Sequence, residues 1–293
     1  MNIAVIGSNG FIGRNLVEEL RKNPEHHLFL FGRNKISTAH TGLPYSQIDL
    51  CDTEKIKYQF AGIDLVYYLA SESIPATTWE KPLLEIELNL VPFITFMECV
   101  QQLKVKKVAF ISSAGTIYGP SAEMVKEDAN KNPFSPYGIT KLTMEFYLNY
   151  FQKKYNMAHD IYRVSNVYGI GQDTSKGLGI INTFLEKIVS EGSIQIFGDG
   201  ENTRNYVYIS DVARMLAFSS VSDISISNTF NLASNDTLSI NDLVKIMQKV
   251  VKEKFEINYK ATRSSDNSKI LLDNSRIKNA MPGLQLTSIE EGI

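Results

Sequence analysis

Tyr137 and Lys141 are the two side chains of this 293-residue chain whose types and spacing point most directly to chemistry. They lie four positions apart in Ser135-Pro136-Tyr137-Gly138-Ile139-Thr140-Lys141, so on a helix both project from the same side. A tyrosine hydroxyl can exchange a proton with an alcohol or ketone oxygen, and a neighbouring ammonium favours the ionised phenol. The pair therefore predicts proton transfer at an alcohol or ketone, the step that accompanies hydride transfer.

A glycine-rich turn near the start of the chain is the second candidate site. Gly7, Gly10 and Gly13 follow the apolar run Ile3–Ile6 and precede a helical pattern that ends near Lys22. Glycines in this position allow a tight turn and a close backbone approach, and the helix behind them offers its first N–H groups to a pyrophosphate. The turn predicts a dinucleotide cofactor, and with the Tyr/Lys pair it favours an enzyme.

The elements that must position these residues alternate along the first part of the chain. Apolar runs that predict strands lie at Ile3–Ile6, Leu28–Phe31, Leu65–Leu69, Val108–Ser112 and Asp160–Val164, with helical patterns at about 11–22, 85–103 and 137–155. Near-continuous apolar strands between helices are typical of a parallel sheet covered on both faces. We expect an α/β fold, a Rossmann doubly wound parallel sheet with a smaller α/β substrate-binding lobe.

The regular alternation of predicted strands and helices ends after Val167. A glycine-rich segment at 169–179 leads to a helix at about 180–191, and later short strands accompany one helix at Ile240–Lys252. We therefore predict a dinucleotide-binding domain at 1–168, to which about 205–235 returns. The substrate-binding lobe would comprise 169–204 and 236–293.

Composition restricts the classes of partner. Lys and Arg number 30 and Asp and Glu 32, and the net charge of −2 gives no reason to expect nucleic acid or an anionic membrane. No apolar run approaches the roughly 18 residues of a membrane span and no signal-like segment opens the chain, so we expect a cytoplasmic protein.

Cysteine and histidine usage gives further expectations. Cys51 and Cys99 are expected to be buried free thiols in a reducing compartment. No set of His, Cys, Asp and Glu has metal-ligand spacing, so no metal is predicted. The four histidines fall in no motif and are expected at the surface: His26, His27, His40 and His159.

The segment after the second predicted strand bears on the choice of cofactor. An acidic residue there would accept hydrogen bonds from the ribose hydroxyls and repel a 2′-phosphate. Here the strand is followed by Gly32-Arg33-Asn34, with no carboxylate. Gly32 leaves room and Arg33 supplies a planar cation, which favours NADP(H) and leaves NAD(H) possible. An arginine stacked on adenine would suit either cofactor.

Several motifs in order resemble the extended short-chain dehydrogenase/reductases, in particular the nucleotide-sugar epimerase/dehydratase/reductase branch. The resemblance covers about residues 1–292 and rests on these stretches: Gly7-x-x-Gly10-x-x-Gly13, Asp64-x-Val66-Tyr67-Tyr68-Leu69-Ala70-Ser71, Asn89, Ser112-Ser113-Ala114-Gly115-Thr116-Ile117-Tyr118-Gly119, Tyr137-x-x-x-Lys141, Arg163-Val164-Ser165-Asn166-Val167-Tyr168-Gly169, Thr203-Arg204-Asn205-Tyr206-Val207 and Arg263-x-x-Asp266.

The resemblance implies roles for individual residues. Tyr137 and Lys141 would be the catalytic pair, with Lys141 lowering the pKa of the tyrosine and bonding the ribose. The cofactor would lie against Gly7, Gly10, Phe11, Ile12, Gly13, Arg33, Asp49, Leu50, Leu69, Ala70, Asn89, Ser112 and the pair itself. A nucleoside-diphosphate sugar would be bound by Asn166, Phe197, Arg204, Arg263 and Asp266.

Some of these assignments have a plainer alternative. Arg204 and Arg263 suit two phosphates, because planar bidentate donors match phosphate oxygens, but both could form ordinary surface ion pairs. Phe197 beside Gly198 could flank the base or simply belong to the core.

One position departs from the family pattern. The usual catalytic hydroxyl falls on Ala114, which cannot bond a substrate oxygen. Thr116, two residues on and able to face the same way on an extended backbone, is the first substitute, and Ser113 is the second.

These residues favour an NADPH-dependent reductase that acts on the 4-keto group of a nucleoside-diphosphate 4-keto-6-deoxy hexose in bacterial-type surface-sugar biosynthesis. The alternative is an NAD-dependent 4-epimerase of the UDP-glucose/galactose type, which returns the hydride to the opposite face of the sugar. Arg33 favours the reductase, because net reduction draws on NADPH. A dehydratase is disfavoured since neither Gly115 nor Thr116 is a carboxylate, and only Ala114 favours a non-catalytic cofactor-binding protein.

The helices at about 85–103 and 137–155 carry more apolar residues than one core-facing stripe needs: Phe93, Phe96, Met97, Phe146, Tyr147, Tyr150 and Phe151. In members of the resembled family these helices pair across a two-fold axis. The resemblance therefore implies a homodimer closed by a four-helix bundle. The alternative is that this surface is covered within the subunit.

Overall fold

The computed structural model describes residues 1–37, 42–73, 79–121, 123–175, 179–235, 237–261 and 270–293. The strands in chain order are β1 (Asn2–Ile6), β2 (His27–Gly32), β3 (Tyr45–Gln47), β4 (Leu65–Tyr68), β5 (Lys107–Ser113), β6 (Met124–Val125), β7 (Ala158–Val164), β8 (Asn166–Tyr168), β9 (Ser193–Phe197), β10 (Thr203–Tyr208), β11 (Asn228–Leu232), β12 (Thr237–Ser239), β13 (Glu256–Lys260) and β14 (Leu271–Leu272).

The helices in chain order are α1 (Phe11–Leu20), α2 (Thr53–Gln59), α3 (Pro82–Glu85), α4 (Val91–Gln102), α5 (Ala114–Ile117), α6 (Pro136–Tyr155), α7 (Ile180–Glu191), α8 (Ile209–Ala217), α9 (Ile240–Val250), α10 (Ser275–Ala280) and α11 (Ile289–Gly292). A π-helical turn, Ile86–Leu90, joins α3 to α4, and a 3₁₀ turn, Phe218–Ser220, follows α8. Within the described residues, no helix is both long and apolar enough to cross a membrane.

The described strands include a seven-stranded parallel sheet in the order β11-β7-β5-β4-β1-β2-β3. Ile3, Ala4 and Val5 of β1 are all completely buried, as expected for a strand covered on both faces. Helices α1 and α8 pack over one face, and α2, α4 and α6 pack over the other. This confirms the predicted doubly wound α/β fold.

The order of the strands reverses at β1, and the reversal places a crevice over the sheet. The chain passes from β1 to β2 and β3 on one side, and then to β4 and β5 on the other. Ligands of doubly wound folds bind at such a reversal, outside the carboxyl ends of the strands. The glycine turn lies there, because Gly7 N donates to the Phe31 carbonyl (2.9 Å) and Leu69 N donates to the Ile6 carbonyl (3.0 Å).

A smaller region packs beside the large sheet. Strands β8, β10 and β12 form a three-stranded sheet, while β9 pairs with β13 and β6 pairs with β14. Tyr168, Phe184 and Leu243 lie in its apolar core. The predicted domain boundaries remain a prediction, and β11 is the strand through which the later part of the chain rejoins the large sheet.

A buried ion pair crosses the amino-terminal end of the large sheet. Lys107 of β5 and Asp160 of β7 are both fully buried, with Nζ and Oδ2 3.1 Å apart. Lys107 Nζ also donates to the Asp223 carbonyl (2.9 Å), and Asp160 accepts from Ser219 Oγ (2.6 Å) and Asn228 Nδ2 (2.9 Å). These bonds come from a segment more than fifty residues later in the chain, and they compensate the desolvation of both charges.

Two expectations about surface exposure are wrong. Cys51 is exposed, whereas Cys99 is buried as predicted. His159 is only 3 % exposed, because its strand β7 lies between β5 and β11. His40 lies outside the described residues.

The apolar residues on which the dimer prediction was based fall into two groups. Phe93, Phe96, Met97 and Phe151 belong to the core of the subunit, so they give no support to a homodimer. Other apolar side chains of the same helices are exposed: Leu83, Ile86, Leu88 and Val91 before and at the start of α4, and Ile139, Phe146 and Tyr150 on α6. The homodimer remains a prediction, now based on these exposed residues.

Candidate active site

The glycine turn forms a cradle that larger residues would fill. Gly7 has a φ of +85°, and a Cβ on Gly13 would lie 2.2 Å from the carbonyl oxygen of Gly7. Helix α1 begins directly behind Gly10, which supplies no capping side chain to the first N–H groups. Phe11 and Ile12, the first two residues of α1, are both half-buried. The cradle and the uncapped helix end fit the pyrophosphate of a dinucleotide.

Asn89 fixes the loop that follows β4. Its Oδ1 accepts the N–H of Glu72 (2.9 Å), and its Nδ2 donates to Ser73 Oγ (3.0 Å) and to Glu85 Oε2 (2.9 Å). Asn89 lies in the π-helical turn just before Pro92. In a regular helix the proline ring would collide with the carbonyl of Leu88, and the wider turn relieves that clash.

The Tyr/Lys pair lies at the carboxyl end of β5, as the fold requires. Lys141 Nζ donates to the Ile111 carbonyl (3.1 Å) and lies 5.6 Å from the centre of the Tyr137 ring. The Ser135 side chain caps α6 by accepting the Gly138 N–H (3.1 Å). A Cβ on Gly138 would lie 2.4 Å from the Thr116 carbonyl oxygen, so the start of α6 packs tightly on α5.

The electrostatics of the pair differ from the sequence-based expectation. Burial raises the pKa of Tyr137 to about 12, Glu85 adds to the rise, and a hydrogen bond with Ser71 opposes it. Burial also lowers the pKa of Lys141 to about 8, against the attraction of Glu85 and Glu145. The pKa of Tyr137 is therefore raised in this structure, because burial and a nearby carboxylate dominate, and the lowering by Lys141 stays a prediction.

The segment with the missing hydroxyl is helical. β5 ends at Ser113, and Ala114–Ile117 form α5, so the expected extended backbone is wrong and Thr116 does not face the same way as Ala114. Thr116 Oγ1 donates instead to the Ser113 carbonyl over a long 3.4 Å. Thr116 and Ser113 stay predictions as substrate-facing hydroxyls.

Ser112 presents a polar atom to the same region. Its Oγ is buried and has no hydrogen-bond partner within the described part of the chain. A buried hydroxyl without a partner is costly in a folded protein, so a bound cofactor group could satisfy it.

The segment after β2 is more crowded and less positive than its sequence indicates. A Cβ on Gly32 would lie 2.7 Å from the Tyr45 hydroxyl, so Tyr45 occupies the space that the missing side chain of Gly32 leaves. Arg33 forms an ion pair with Glu72, which follows β4. A carboxylate therefore does contact the residue that follows β2, and the sequence argument missed it because the loop after β4 contributes it.

The other predicted cofactor residues lie near these strand ends. Leu69 and Ala70 directly follow β4, and their backbone lies 3.1–3.2 Å from a Cβ placed on Gly7. Asp49 is exposed and accepts the Cys51 N–H (2.9 Å), while Leu50 packs against the core.

The predicted substrate residues lie on the smaller sheets. Asn166 of β8 pairs with Tyr206 of β10, two positions from Arg204, and its Nδ2 donates to the Asn205 carbonyl (2.9 Å). Phe197 ends β9, in the separate two-stranded pair. Arg263 and Asp266 lie outside the described residues.

Sequence analysis missed two acidic residues of the site. Glu85 is 1 % exposed and stands four positions before Asn89, a helical spacing that could have revealed it. Glu72 meets Arg33 only through the fold, and no local pattern indicates that contact.

The family model described as NAD dependent epimerase/dehydratase matches residues 3–233. The chain belongs to this family. The motif-based resemblance is thereby confirmed, and the family is one of NAD(P)-dependent enzymes acting on nucleotide sugars.

Individual members of the family align over nearly the whole chain. The chain is 29 % identical over 280 residues to a putative UDP-glucose 4-epimerase of Methanocaldococcus jannaschii, covering 92 % of this chain and 89 % of the relative. It is 27 % identical over 295 residues to a dTDP-4-dehydro-6-deoxyglucose reductase of Escherichia coli, covering 96 % and 91 %. Both reactions that the sequence left open occur among these relatives.

A solved structure confirms the fold at similar identity. The UDP-glucose 4-epimerase of Thermotoga maritima, determined with UDP-glucose, superposes with a TM-score of 0.89 at 29 % identity and covers 100 % of this chain and 96 % of its own.

Proposed function

We propose that the protein is a 4-epimerase of a nucleoside-diphosphate hexose that uses bound NAD. The observation that carries the proposal is the Tyr137–Lys141 pair, half-buried and buried respectively, at the carboxyl end of β5 and on the same sheet edge as the glycine cradle. The epimerase is preferred to the reductase because the argument for the reductase rested on Arg33 as a phosphate-binding cation, and Arg33 is engaged by Glu72. The similarity to UDP-glucose 4-epimerases supports the same choice.

The chain's own residues would then act on the sugar as follows. A bound nicotinamide would supply a reversible hydride acceptor at C4, and inversion requires the hydride to return to the opposite face of the sugar. Tyr137 takes the proton of the 4-hydroxyl as the hydride leaves and returns it to the 4-oxygen when the hydride comes back. Lys141, which donates to the Ile111 carbonyl, would orient the pair and would donate to the cofactor ribose. Arg204 would bind a phosphate of the sugar nucleotide, and Asn166 lies on the neighbouring strand.

One observation favours the 4-ketoreductase as a second candidate. A pKa of about 12 means that Tyr137 rests as the phenol at neutral pH, and the phenol is the form that donates a proton to a ketone oxygen. An epimerase must first ionise this phenol, whereas a reductase starts from it.

Substrate conversion with defined cofactors tests the proposal. Purified protein incubated with UDP-glucose and a trace of NAD⁺ should form UDP-galactose, detected by NMR, without net change in the cofactor. Tyr137→Phe should abolish conversion while still binding dinucleotide. If the protein instead consumes NADPH with a dTDP-4-keto-6-deoxy sugar and interconverts no UDP- or dTDP-hexose, the reductase is the correct function.

A further inference from the structure

We propose that Glu72 sets the cofactor preference of this protein, accepting the hydroxyls of the adenosine ribose and excluding a 2′-phosphate. A carboxylate from the loop after β4 thus replaces the one missing at the end of β2. The inference rests on the proposed function only in requiring that the chain bind a dinucleotide, and it holds for an epimerase or a reductase.

The ion pair spans the two strand ends that enclose the glycine turn. β2 and β4 are the two neighbours of β1, and Arg33 and Glu72 follow them. Gly7 lies between these ends, bonded to the Phe31 carbonyl and packed against Leu69 and Ala70. A dinucleotide whose pyrophosphate lies on the turn therefore has its adenosine ribose beside the pair.

The space at the end of β2 is suited to a hydroxyl and not to a phosphate. The Tyr45 hydroxyl lies where a side chain on Gly32 would be, and two hydrogen bonds hold it there. It donates to the Asn34 carbonyl (3.0 Å) and accepts from Asn9 Nδ2 (3.2 Å). These bonds hold the ring in place, so the site lacks the room that a glycine alone would suggest.

The charge at the site also opposes a phosphate. The Arg33 guanidinium is already paired, so the two side chains together carry no net charge. A 2′-phosphate would have to draw Arg33 away and then lie next to an uncompensated carboxylate. Ribose hydroxyls, by contrast, need acceptors, and carboxylate oxygens are strong ones.

The backbone of Glu72 is held in position, and its side chain is more enclosed than that of Arg33. Its backbone N–H is bonded by Asn89 Oδ1, and its side chain is 26 % exposed against 75 % for Arg33. Arg33 is mostly in water and stays paired with the carboxylate, whose remaining acceptor positions are available to the ribose hydroxyls. The discriminating group is therefore Glu72.

Calorimetric titration of the protein with NAD⁺ and NADP⁺ tests the inference without any turnover. We expect the wild type to bind NAD⁺ at least about ten-fold more tightly than NADP⁺. Glu72→Gln removes the charge at nearly constant volume, so it should strengthen NADP⁺ binding and weaken NAD⁺ binding. Arg33→Ala should leave NAD⁺ binding within a few-fold and weaken NADP⁺ further, because Glu72 is then unpaired.

Matched controls separate a local effect from a change in overall charge. Glu80→Gln and Lys35→Ala remove one exposed charge each from the same two regions of the chain and should leave the ratio of the two affinities unchanged. A wild-type preference for NADP⁺, or an unchanged ratio in Glu72→Gln, would overturn the inference. Absence of binding by either dinucleotide would overturn the proposed function instead.

Discussion

Glu85 is a charged side chain that acts on both members of the Tyr/Lys pair. It is buried, bonded to Asn89, and close enough to both members of the pair to raise the pKa of each. It keeps Lys141 protonated and at the same time opposes ionisation of Tyr137. The two effects act on turnover in opposite directions. The role of Glu85 can therefore be tested by the pH dependence of turnover.

Glu85→Gln should shift the pH dependence of turnover to lower pH. Removal of the negative charge lowers the pKa of Tyr137, so the limb that reports its ionisation should move down by about one pH unit. Glutamine Oε1 can still accept the Asn89 hydrogen bond, which limits structural damage. The measurement is log kcat against pH, with exposed Glu87→Gln in the adjoining π-helical turn as the control. A profile that coincides with the wild type would show that Glu85 has no electrostatic role.

Thr116→Val tests whether this hydroxyl serves in place of the one missing at Ala114. The bond from Thr116 Oγ1 to the Ser113 carbonyl is long at 3.4 Å, so the hydroxyl is weakly held and able to turn toward a substrate oxygen. We expect turnover to fall about 10- to 1000-fold, with Thr116→Ser close to wild type. Ala114→Ser should restore part of the loss. Full activity of Thr116→Val would leave Tyr137 and Lys141 as the groups that handle the proton.

Sequence alone could identify the residues of this site that belong to local motifs. The Tyr/Lys spacing and the glycine turn depend on one helix and one strand-helix junction, and such patterns are visible in a few residues. The Arg33–Glu72 contact and the pKa of Tyr137 depend on the packing of segments that are distant in sequence. Local pattern therefore suggested a free cation at Arg33 and a lowered pKa at Tyr137. In the folded chain Arg33 is paired with Glu72, and burial raises the pKa of Tyr137.

At the scale of elements, the junction of β1 and α1 gives a direct test of the cofactor cradle. Gly13→Ala would place a methyl group 2.2 Å from the Gly7 carbonyl oxygen, which forces the turn to shift. We expect NAD⁺ binding by titration to be lost, with the helices retained in circular dichroism. Gly115→Ala, where a Cβ meets nothing within 4 Å, is the matched control and should bind normally. Normal binding by Gly13→Ala would place the pyrophosphate elsewhere.

Element types followed from hydrophobic pattern, but their irregular parts did not. β1, β5 and α6 occur almost where the apolar runs predicted them. The spacing of apolar residues along the sequence reflects which side chains of a strand or helix face the core. The π-helical turn before Pro92 and the short helix α5 after Ser113 have no period of their own. Both are set by packing against the start of α6 and by the proline, and both carry residues of the candidate site.

At the scale of the whole molecule, buried His159 should make folding sensitive to mild acid. Burial lowers its pKa to about 4, whereas the unfolded chain has the ordinary value of 6.5. Between these values the unfolded state binds a proton that the folded state does not. The stabilising contribution is therefore complete above pH 6.5 and is lost as the pH falls, by up to about 3 kcal/mol.

Urea unfolding from pH 7 to pH 4 measures this effect. The free energy of unfolding should decline less steeply in His159→Gln than in the wild type, because glutamine does not titrate. Exposed His27→Gln is the control and should follow the wild-type curve. Equal slopes in all three proteins would show that His159 does not contribute.

Association of two subunits is the remaining expectation at this scale. The exposed apolar side chains before and at the start of α4 and on α6, with Phe146 at 62 % exposure, form a surface that two copies could share across a two-fold axis. We expect sedimentation at micromolar concentration to give twice the subunit mass of 32.9 kDa, and Phe146→Lys to give the monomer. A monomeric wild type would reject the homodimer.

The ion pair between Lys107 and Asp160 bears on when the large sheet can form while the chain is being synthesised. Both partners are made early, but Ser219, the Asp223 carbonyl and Asn228, which compensate their desolvation, are made more than fifty residues later. β11, which covers the open edge of β7, is also late. A nascent chain that has released only β1 to β7 therefore holds two charges with part of their hydrogen bonds missing and one strand edge uncovered. We therefore expect the large sheet to reach its full stability only after β11 has been synthesised, which leaves its edge open to other chains until then.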